Sequence, residues 1–500
     1  MVSKVLTVTP LGFDGALIDV ECDSKKGLPG IQIVGMGTKS VDEAKERVRS
    51  AITNSLLEFP TKKITINLAP ADITKDGTHF DLPIALSILV GSGQLKQKEV
   101  DGAVFAGELA LDGSLRPIKG AINVAQTART AGITQVYVPR QNTNQALLVE
   151  GIEVIAVESI KQLFLHLKGE VRIEPSQRVE STTPDRAISF ILDNVYGQEQ
   201  AKRALTVAVA GRHNILLSGP PGAGKTMLAR TMLSLMPNLT SDEQIAVTKL
   251  HSLAGEIGGE IISERPFRSP HHTTSPVALI GGGSKAGPGE ISLAHLGVLF
   301  MDEIPEYPRS VLETLRQPLE DKRIAITRAA ARTVYPADFM MVATMNPCPC
   351  GYLGDSLKEC SCSMAQILNY QKRLSGPLLD RIDLKVNVSR VSNDTLLKQK
   401  SYENIQHISA LDAISNALKA QSNRYGSSSK YNASLSSTQV QKQINLTTEA
   451  RQLLSLASEK LGLSARSYFK VIKVARTIAD LELAQDVEKR HLSEALQYRG

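Results

Sequence analysis

Long apolar runs are missing from this 500-residue chain. Its most apolar window, Leu82 to Val90, falls far short of the ~20 residues that cross a bilayer. The first residues, MVSKVLTVTPLGFDGALIDV, have no charged segment followed by an unbroken apolar one, so they read as a strand and not as a secretory signal. A soluble protein that stays in the cytoplasm, with no membrane partner, is expected. Charge of one sign is also lacking. A net charge of +6 permits a basic groove for nucleic acid without demanding one. Cysteines number only five, and four of them crowd into Cys348–Cys362. That odd and uneven count excludes a disulfide scaffold and suits a metal-binding cluster.

What remains is ordinary globular composition, 42% apolar and 22% charged, in a chain too long for one core. Residues 1 to about 168 alternate strand-like segments (64–70 and 135–140) with helical periodicity over 41–57, an α/β or α+β pattern. Residues 169–187 are polar and carry Pro175 and Pro184, as a linker would. A second domain, 188–390, holds three strand segments with polar tips, HNILLSG (213–219), GVLFMDEI (297–304) and DFMMVATMNP (338–347). Interleaved helices make a parallel sheet the expected arrangement. Residues 391–500 are helical, interrupted by a Ser/Asn/Gln-rich stretch at 421–445 that reads as a mobile insertion.

Gly219-Pro220-Pro221-Gly222-Ala223-Gly224-Lys225-Thr226, followed by Met227, fits the phosphate-binding loop G-x-x-x-x-G-K-[ST]. Its backbone N–H groups would face phosphate oxygens and the helix N-terminus adds its dipole. Lys225 would reach the β- and γ-phosphates of ATP, and Thr226 would ligate Mg²⁺. The strand ending in Asp302-Glu303 supplies a second Mg²⁺ ligand, Asp302, and a carboxylate to polarise the attacking water, Glu303. A chance glycine turn or two solvated acids is the bland alternative, and the strand–loop–helix context argues against it.

With SGPPGAGKTMLA, FRSPHHTTS, GVLFMDEIPEYP, NPCPCGYLGD, SGPLLDRIDL and LSARSYFKVIKVARTIADL, the chain resembles, over nearly its whole length, the ComM (YifB) competence-protein family of magnesium-chelatase-like AAA+ ATPases. The resemblance implies a P-loop AAA+ core with a helix-2 insert and a pre-sensor-1 hairpin, followed by a C-terminal helical lid. It makes Asn346 the sensor that orients water, Arg381 an arginine finger acting on a neighbouring subunit, and Arg466 the second sensor. It places Tyr196 and Gly197 at the adenine pocket. Read from the residues alone, Arg381 and Arg466 are equally well surface salt bridges.

The resemblance also projects two segments into the pore of a homo-hexamer. Residues 251–290 carry Arg265, Arg268, His271, His272 and Lys285, and residues 320–336 read as a hairpin with Lys322, Arg323, Arg328 and Arg332. Such cations would track DNA phosphates without reading sequence, although a solvated hairpin face has the same pattern. His271 and His272 lack neighbours at zinc spacing, which favours a loop role. Cys348-x-Cys350-x₉-Cys360-x-Cys362 suits a structural Zn²⁺, the alternative being free loop thiols.

Residues 105–139 (FAGELALDGSLRPIKGAINVAQTARTAGITQVYVP) resemble the proteolytic domain of Lon, so a Lon-protease-like N-terminal fold is implied for 1–168. Where the nucleophilic Ser belongs the chain has Thr78-His79-Phe80, and where the partner Lys belongs it has Ile122. No base for Thr78 is evident, so no activated nucleophile is expected. By resemblance the chain is an ATP-driven DNA helicase or translocase. It would act on single-stranded and branched DNA during natural transformation and recombination, with recombination proteins as further partners. The rival is a chelatase-type motor working on a protein or metal-insertion partner. A transcription activator is disfavoured because 251–290 lacks the G-A-F-T-G-A loop.

Overall fold

The computed structural model describes residues 2–178, 190–283, 287–327, 332–355, 357–391 and 404–499. The first unit contains β1 (Ser3–Leu11), β2 (Asp14–Lys25), β3 (Gly30–Val34), α1 (Ala44–Asn54), β4 (Lys63–Ala69), α2 (Asp81–Gly91), β5 (Ala103–Phe105), α3 (Ala121–Thr130), β6 (Gln135–Pro139) and β7 (Glu153–Val157). Its seven strands run in the order β3-β4-β2-β1-β5-β6-β7. β2 pairs antiparallel to both β1 and β4, whereas β3 pairs parallel to β4 and the run β1-β5-β6-β7 is parallel throughout. α2 is apolar all round and almost wholly buried, which is why its sequence shows no amphipathic stripe. The helix expected over 41–57 breaks at Glu43 into a short turn, Lys39–Asp42, and α1.

The second unit carries α4 (Glu199–Gly211), β8 (Ile215–Ser218), α5 (Lys225–Leu235), α6 (Ser241–Ala254), β9 (Phe267–Arg268), β10 (Val298–Met301), α7 (Arg316–Asp321), β11 (Arg323–Thr327), β12 (Arg332–Pro336), β13 (Met340–Met345) and β14 (Leu384–Asn387). Five strands form a sheet in the order β9-β10-β13-β8-β14, every pairing parallel. The three inner strands β10, β13 and β8 are short and largely apolar, as strands covered on both faces are. β11 and β12 form the expected antiparallel hairpin, with Arg323 opposite Pro336 and Thr327 opposite Arg332. Arg328 and Lys285 lie outside the described residues.

The helices α8 (Ile405–Tyr425), α9 (Ser437–Gln443), α10 (Thr448–Leu461), α11 (Ala465–Leu481) and α12 (Lys489–Gln497) complete the chain. Val474, Ala475 and Ile478 of α11 share one apolar core with Ala204 and Ala208 of α4 and Leu217 of β8. The stretch 421–445 is built into this unit, contrary to its reading as a mobile insertion. Gln421, Asn432, Leu435 and Val440 are buried. Gln421 Nε2 donates to Ala210 O at 2.9 Å and Asn432 Nδ2 to Asp480 Oδ2 at 2.8 Å. Its polar side chains satisfy internal partners, so polarity there does not signal mobility.

The two units touch along α6. Lys249 Nζ donates to Gln126 Oε1 at 2.6 Å and lies 4.2 Å from the Phe13 ring centroid. Asn142 Nδ2 donates to Gly258 O at 3.2 Å, Gln145 Nε2 to Glu260 O at 3.0 Å, and Ile245 and Ile261 pack on the first unit's core. A Cβ at Gly259 would stand 1.8 Å from Gln141 O, so the backbones meet with no room for a side chain. Of the expected linker, the described part up to residue 178 stays with the first unit, where Ser176 N donates to Val154 O. Among the described residues no helix is long and apolar enough to cross a membrane.

Asp480 is almost completely buried and accepts from Arg476, Arg424 and Asn432. Asp480→Ala leaves those cations uncompensated, and a cost of about 3–5 kcal/mol is expected. Chemical unfolding of the full chain, followed beside the wild type, measures it.

Candidate functional site

The phosphate loop follows β8, whose neighbour β13 ends next to it. Leu228, Ala229, Met232 and Leu235 form the buried face of α5, the spacing that seats an amphipathic helix on the sheet. That packing points the N-terminus of α5, with Lys225 and the exposed Thr226, toward the carboxyl ends of the strands. Lys225 Nζ donates to Gly219 O at 2.6 Å, Pro220 O at 3.0 Å and Asn346 Oδ1 at 3.0 Å. Partial burial pulls this ammonium below its ordinary range, with Asp302 and Glu303 acting in the opposite direction.

Asp302 and Glu303 follow β10 and are tied to β13 by a residue the sequence reading missed. Thr344 is fully buried; its hydroxyl donates to Asp302 Oδ1 at 2.6 Å and accepts from Glu303 N at 2.9 Å. One hydroxyl therefore sets the orientation of the first acid and the backbone of the second. Its signal in the sequence is slight, a threonine within an apolar strand. Thr226 and Asp302 are hard oxygen donors of the kind Mg²⁺ takes, and they are the residues that would hold it. Held by them, Mg²⁺ would supply positive charge to offset that developing on the phosphates. Tyr196 and Gly197 precede α4; next to them Gln198 Nε2 donates to Ser389 O, adjacent to Val388, whose carbonyl faces Gly219.

Arg381 and Arg466 stand elsewhere. Both line a cavity of about 480 Å³ with Arg212, Lys322, Lys470 and Lys473. Asn214, Phe339 and Asp383 also line it, and these immediately precede β8, β13 and β14. The cavity is thus at the amino ends of the strands, one strand length, roughly 13 Å, from the phosphate loop of the same chain. Arg381 Nη2 lies 2.7 Å from Glu320 Oε2, and Arg466 Nη2 lies 2.6 Å from Glu320 Oε1. Partial burial raises the Glu320 carboxyl, but the bonds from Arg466 and Arg381 outweigh this and hold it below its ordinary range.

The four clustered cysteines converge. Cys348 Sγ is 3.4 Å from Cys350 Sγ and 3.7 Å from Cys360 Sγ, and all four sulfurs lie within 4.8 Å of one another. Tetrahedral zinc with bonds of about 2.3 Å needs sulfurs roughly 3.8 Å apart, so the cluster is compatible with a Zn²⁺ site. The thiols do not titrate alike: the backbone N–H of Tyr352 leads the influences that bring Cys350 down, whereas Cys360 and Cys362 are raised. The loop abuts the phosphate loop, for a Cβ at Gly351 would stand 2.7 Å from Pro221 Cδ.

Other expectations need correction. Lys322 does not extend freely from the hairpin: its ammonium pairs with Asp338 at 3.1 Å, because its left-handed backbone at the end of α7 turns it into the cavity. Arg323 is exposed, as a contact to DNA would require, and Arg332 is on β12. Thr78 has a carboxylate partner after all, since its hydroxyl donates to Glu108 Oε2. Ile122 is buried in α3. The His271 and His272 rings pack against each other at a tilt of 36°, with centroids 4.0 Å apart.

Comparison with known proteins places this geometry. Residues 191–396 match the model described as magnesium chelatase, subunit ChlI. Residues 20–142 match subunit ChlI of Mg-chelatase, and 408–499 match the ChlI C-terminal model. The protein YifB of Escherichia coli K12 is 40% identical over 502 residues, covering 100% of this chain and 97% of its own length. Competence protein ComM of Haemophilus influenzae is 40% identical over 500 residues, covering 98% of this chain and 96% of its own. The chain belongs to the ComM/YifB family. It is a magnesium-chelatase-like AAA+ protein, and its ATPase character extends to a shorter likeness, 28% identity over 164 residues, with the ATP-binding subunit ClpX of Treponema denticola. That likeness covers 29% of this chain and 35% of the ClpX chain. Within the ComM/YifB fold, the phosphate loop, the two acids and Asn346 form one cluster at the carboxyl edge, and the two arginines form another at the amino edge.

Two outcomes are expected. Thr344→Val, which removes the hydroxyl shared by Asp302 and Glu303, lowers kcat for ATP by about 10–100-fold with a smaller change in KM; steady-state kinetics reads the split. Elemental analysis of purified protein finds one zinc per chain, lost in the Cys350→Ser/Cys360→Ser double variant. A metal-free wild type would mean that the thiols are free.

Proposed function

We propose that the chain is one subunit of a hexameric ATP-driven DNA motor that moves branched DNA and helps incoming single strands integrate during transformation and recombination. The observation that carries this reading is the separation of the arginines from their own phosphate loop. A ring in which one subunit's amino strand edge faces the next subunit's carboxyl edge brings Arg381 and Arg466 to a neighbour's γ-phosphate. An arginine supplied in this way is worth ~10³ or more in rate, which makes assembly a condition for turnover. The name of the Haemophilus influenzae relative, competence protein, supports the transformation role, and the exposed Arg323 on the hairpin supports sequence-independent phosphate contact.

The N-terminal unit is, in this reading, a Lon-like fold without Ser–Lys chemistry, used for assembly or DNA contact. The turn at Gly12 brings it against Thr333 of β12, next to the hairpin that would meet DNA. The ChlI family models favour one alternative, a chelatase-type motor acting on a protein or metal-insertion partner.

The test is ATP turnover with and without forked and four-way-junction DNA, beside Lys225→Ala. Strong stimulation, absent in Lys225→Ala and lost in Arg323→Ala/Arg328→Ala/Arg332→Ala with DNA-free turnover retained, is expected. Turnover indifferent to every DNA would transfer the assignment to the chelatase-type motor.

A further inference from the structure

Glu320 occupies the last turn of α7, two residues before Lys322 and immediately upstream of the hairpin β11–β12. Its two oxygens are divided between two guanidiniums, Oε2 to Arg381 and Oε1 to Arg466. These partners come from distant parts of the chain, Arg381 from the core and Arg466 from the first turn of α11. Arg381 is otherwise anchored, its Nε donating to Arg316 O at 3.0 Å and its Nη1 to Pro377 O at 2.5 Å. Arg466 and Glu320 are each 45% exposed at the side chain.

A carboxylate that bridges two guanidiniums presents them with the same kind of acceptor as a phosphate. It therefore competes for the groups that a γ-phosphate needs. At Arg466 the competition is weak enough to be reversed, because a half-exposed ion pair contributes little and is screened by water. The Arg381 side chain is only 12% exposed, so there Glu320 acts beside the Arg316 and Pro377 carbonyls.

The base of the hairpin is bonded to the helical turn that carries Glu320. Lys322 N donates to Pro318 O at 2.9 Å and Ala337 N to Lys322 O at 2.8 Å, joining α7 to both strands of the hairpin. Lys322 Nζ pairs with Asp338 beside them. A load on the hairpin thus displaces the helical turn that carries the carboxylate.

We propose that Glu320 is a positioning residue that holds Arg381 and Arg466 away from the neighbouring subunit's ATP until the hairpin is engaged. Hairpin occupancy and hydrolysis are then linked through one carboxylate. This rests on the reading of the two arginines as acting between subunits. It adds to that reading the residue that keeps them idle and the element that releases them.

The experiment compares Glu320→Gln, Glu320→Asp and Arg381→Ala in the full chain, measuring ATP turnover with and without four-way-junction DNA. Glu320→Gln keeps the side-chain volume and removes the charge. It is expected to raise DNA-free turnover about fivefold, the factor matching the upper range for a half-exposed pair, and to shrink the stimulation ratio by as much. Glu320→Asp, which restores the charge, is expected to lie between Glu320→Gln and the wild type. A gain in turnover is a readout that simple structural damage would not give. If Glu320→Gln leaves DNA-free turnover unchanged or lowers it while Arg381→Ala abolishes it, the inter-subunit arginine stands and the restraint by Glu320 is overturned. If Arg381→Ala retains full turnover, the inter-subunit reading itself is overturned, and the restraint with it.

Discussion

Parallel strands point the same way, and in the five-stranded sheet this makes the two edges chemically different. Every segment leaving a strand emerges at the carboxyl edge, and every segment entering one arrives at the amino edge. The phosphate loop, Asp302, Glu303 and Asn346 are all exit residues, gathered next to one another by the ladder of β10, β13 and β8. Asn214, Phe339 and Asp383 are all entry residues, and the basic cavity forms around them. Phosphate chemistry and the arginines that would complete it are thereby segregated within one chain. In the proposed ring, a second chain set edge to edge would bring them together.

Side-chain contacts refine this division. Thr344 links the two acids, and Lys225 links the phosphate loop to Asn346. The cysteine loop leans on Pro221 from the other side. At the amino edge the corresponding link is Glu320, which joins the core, the helical unit and the base of the hairpin through two arginines and one turn of helix.

What could be read from the sequence was local. The phosphate loop and the Asp302-Glu303 pair need fixed spacing along the chain, so eight and six consecutive letters display them. Strand segments at 64–70, 135–140, 213–219 and 297–304 were legible from apolar runs, and the structure has strands at Lys63–Ala69, Gln135–Pro139, Ile215–Ser218 and Val298–Met301. The contacts that failed to show join residues far apart in the chain. Glu108 meets Thr78 across 30 positions, Glu320 meets Arg466 across 146, and Lys322 turns to Asp338. None of these has a periodicity or a motif. The stretch 421–445 misled for a related reason, since glutamine and asparagine are as suited to bonding buried backbone as to facing water, and only the fold decides which they do. Thr344 was hidden by its neighbours, one hydroxyl in a strand otherwise read as core.

The seam between the two units has a consequence for how the protein can be divided. Gly259 lies against the carbonyl of Gln141, Lys249 is buried over Phe13, and Ile245 and Ile261 complete the first unit's core. Cutting the chain between the units would separate them in sequence but not in surface. An ATPase fragment freed in this way would uncover the packed faces of two partly buried isoleucines and leave the carbonyls of Gly258 and Glu260 without their amide donors. Its expected fate is self-association or loosening of α6. The N-terminal unit therefore acts as part of the engine's own housing, so that losing it would expose an interior.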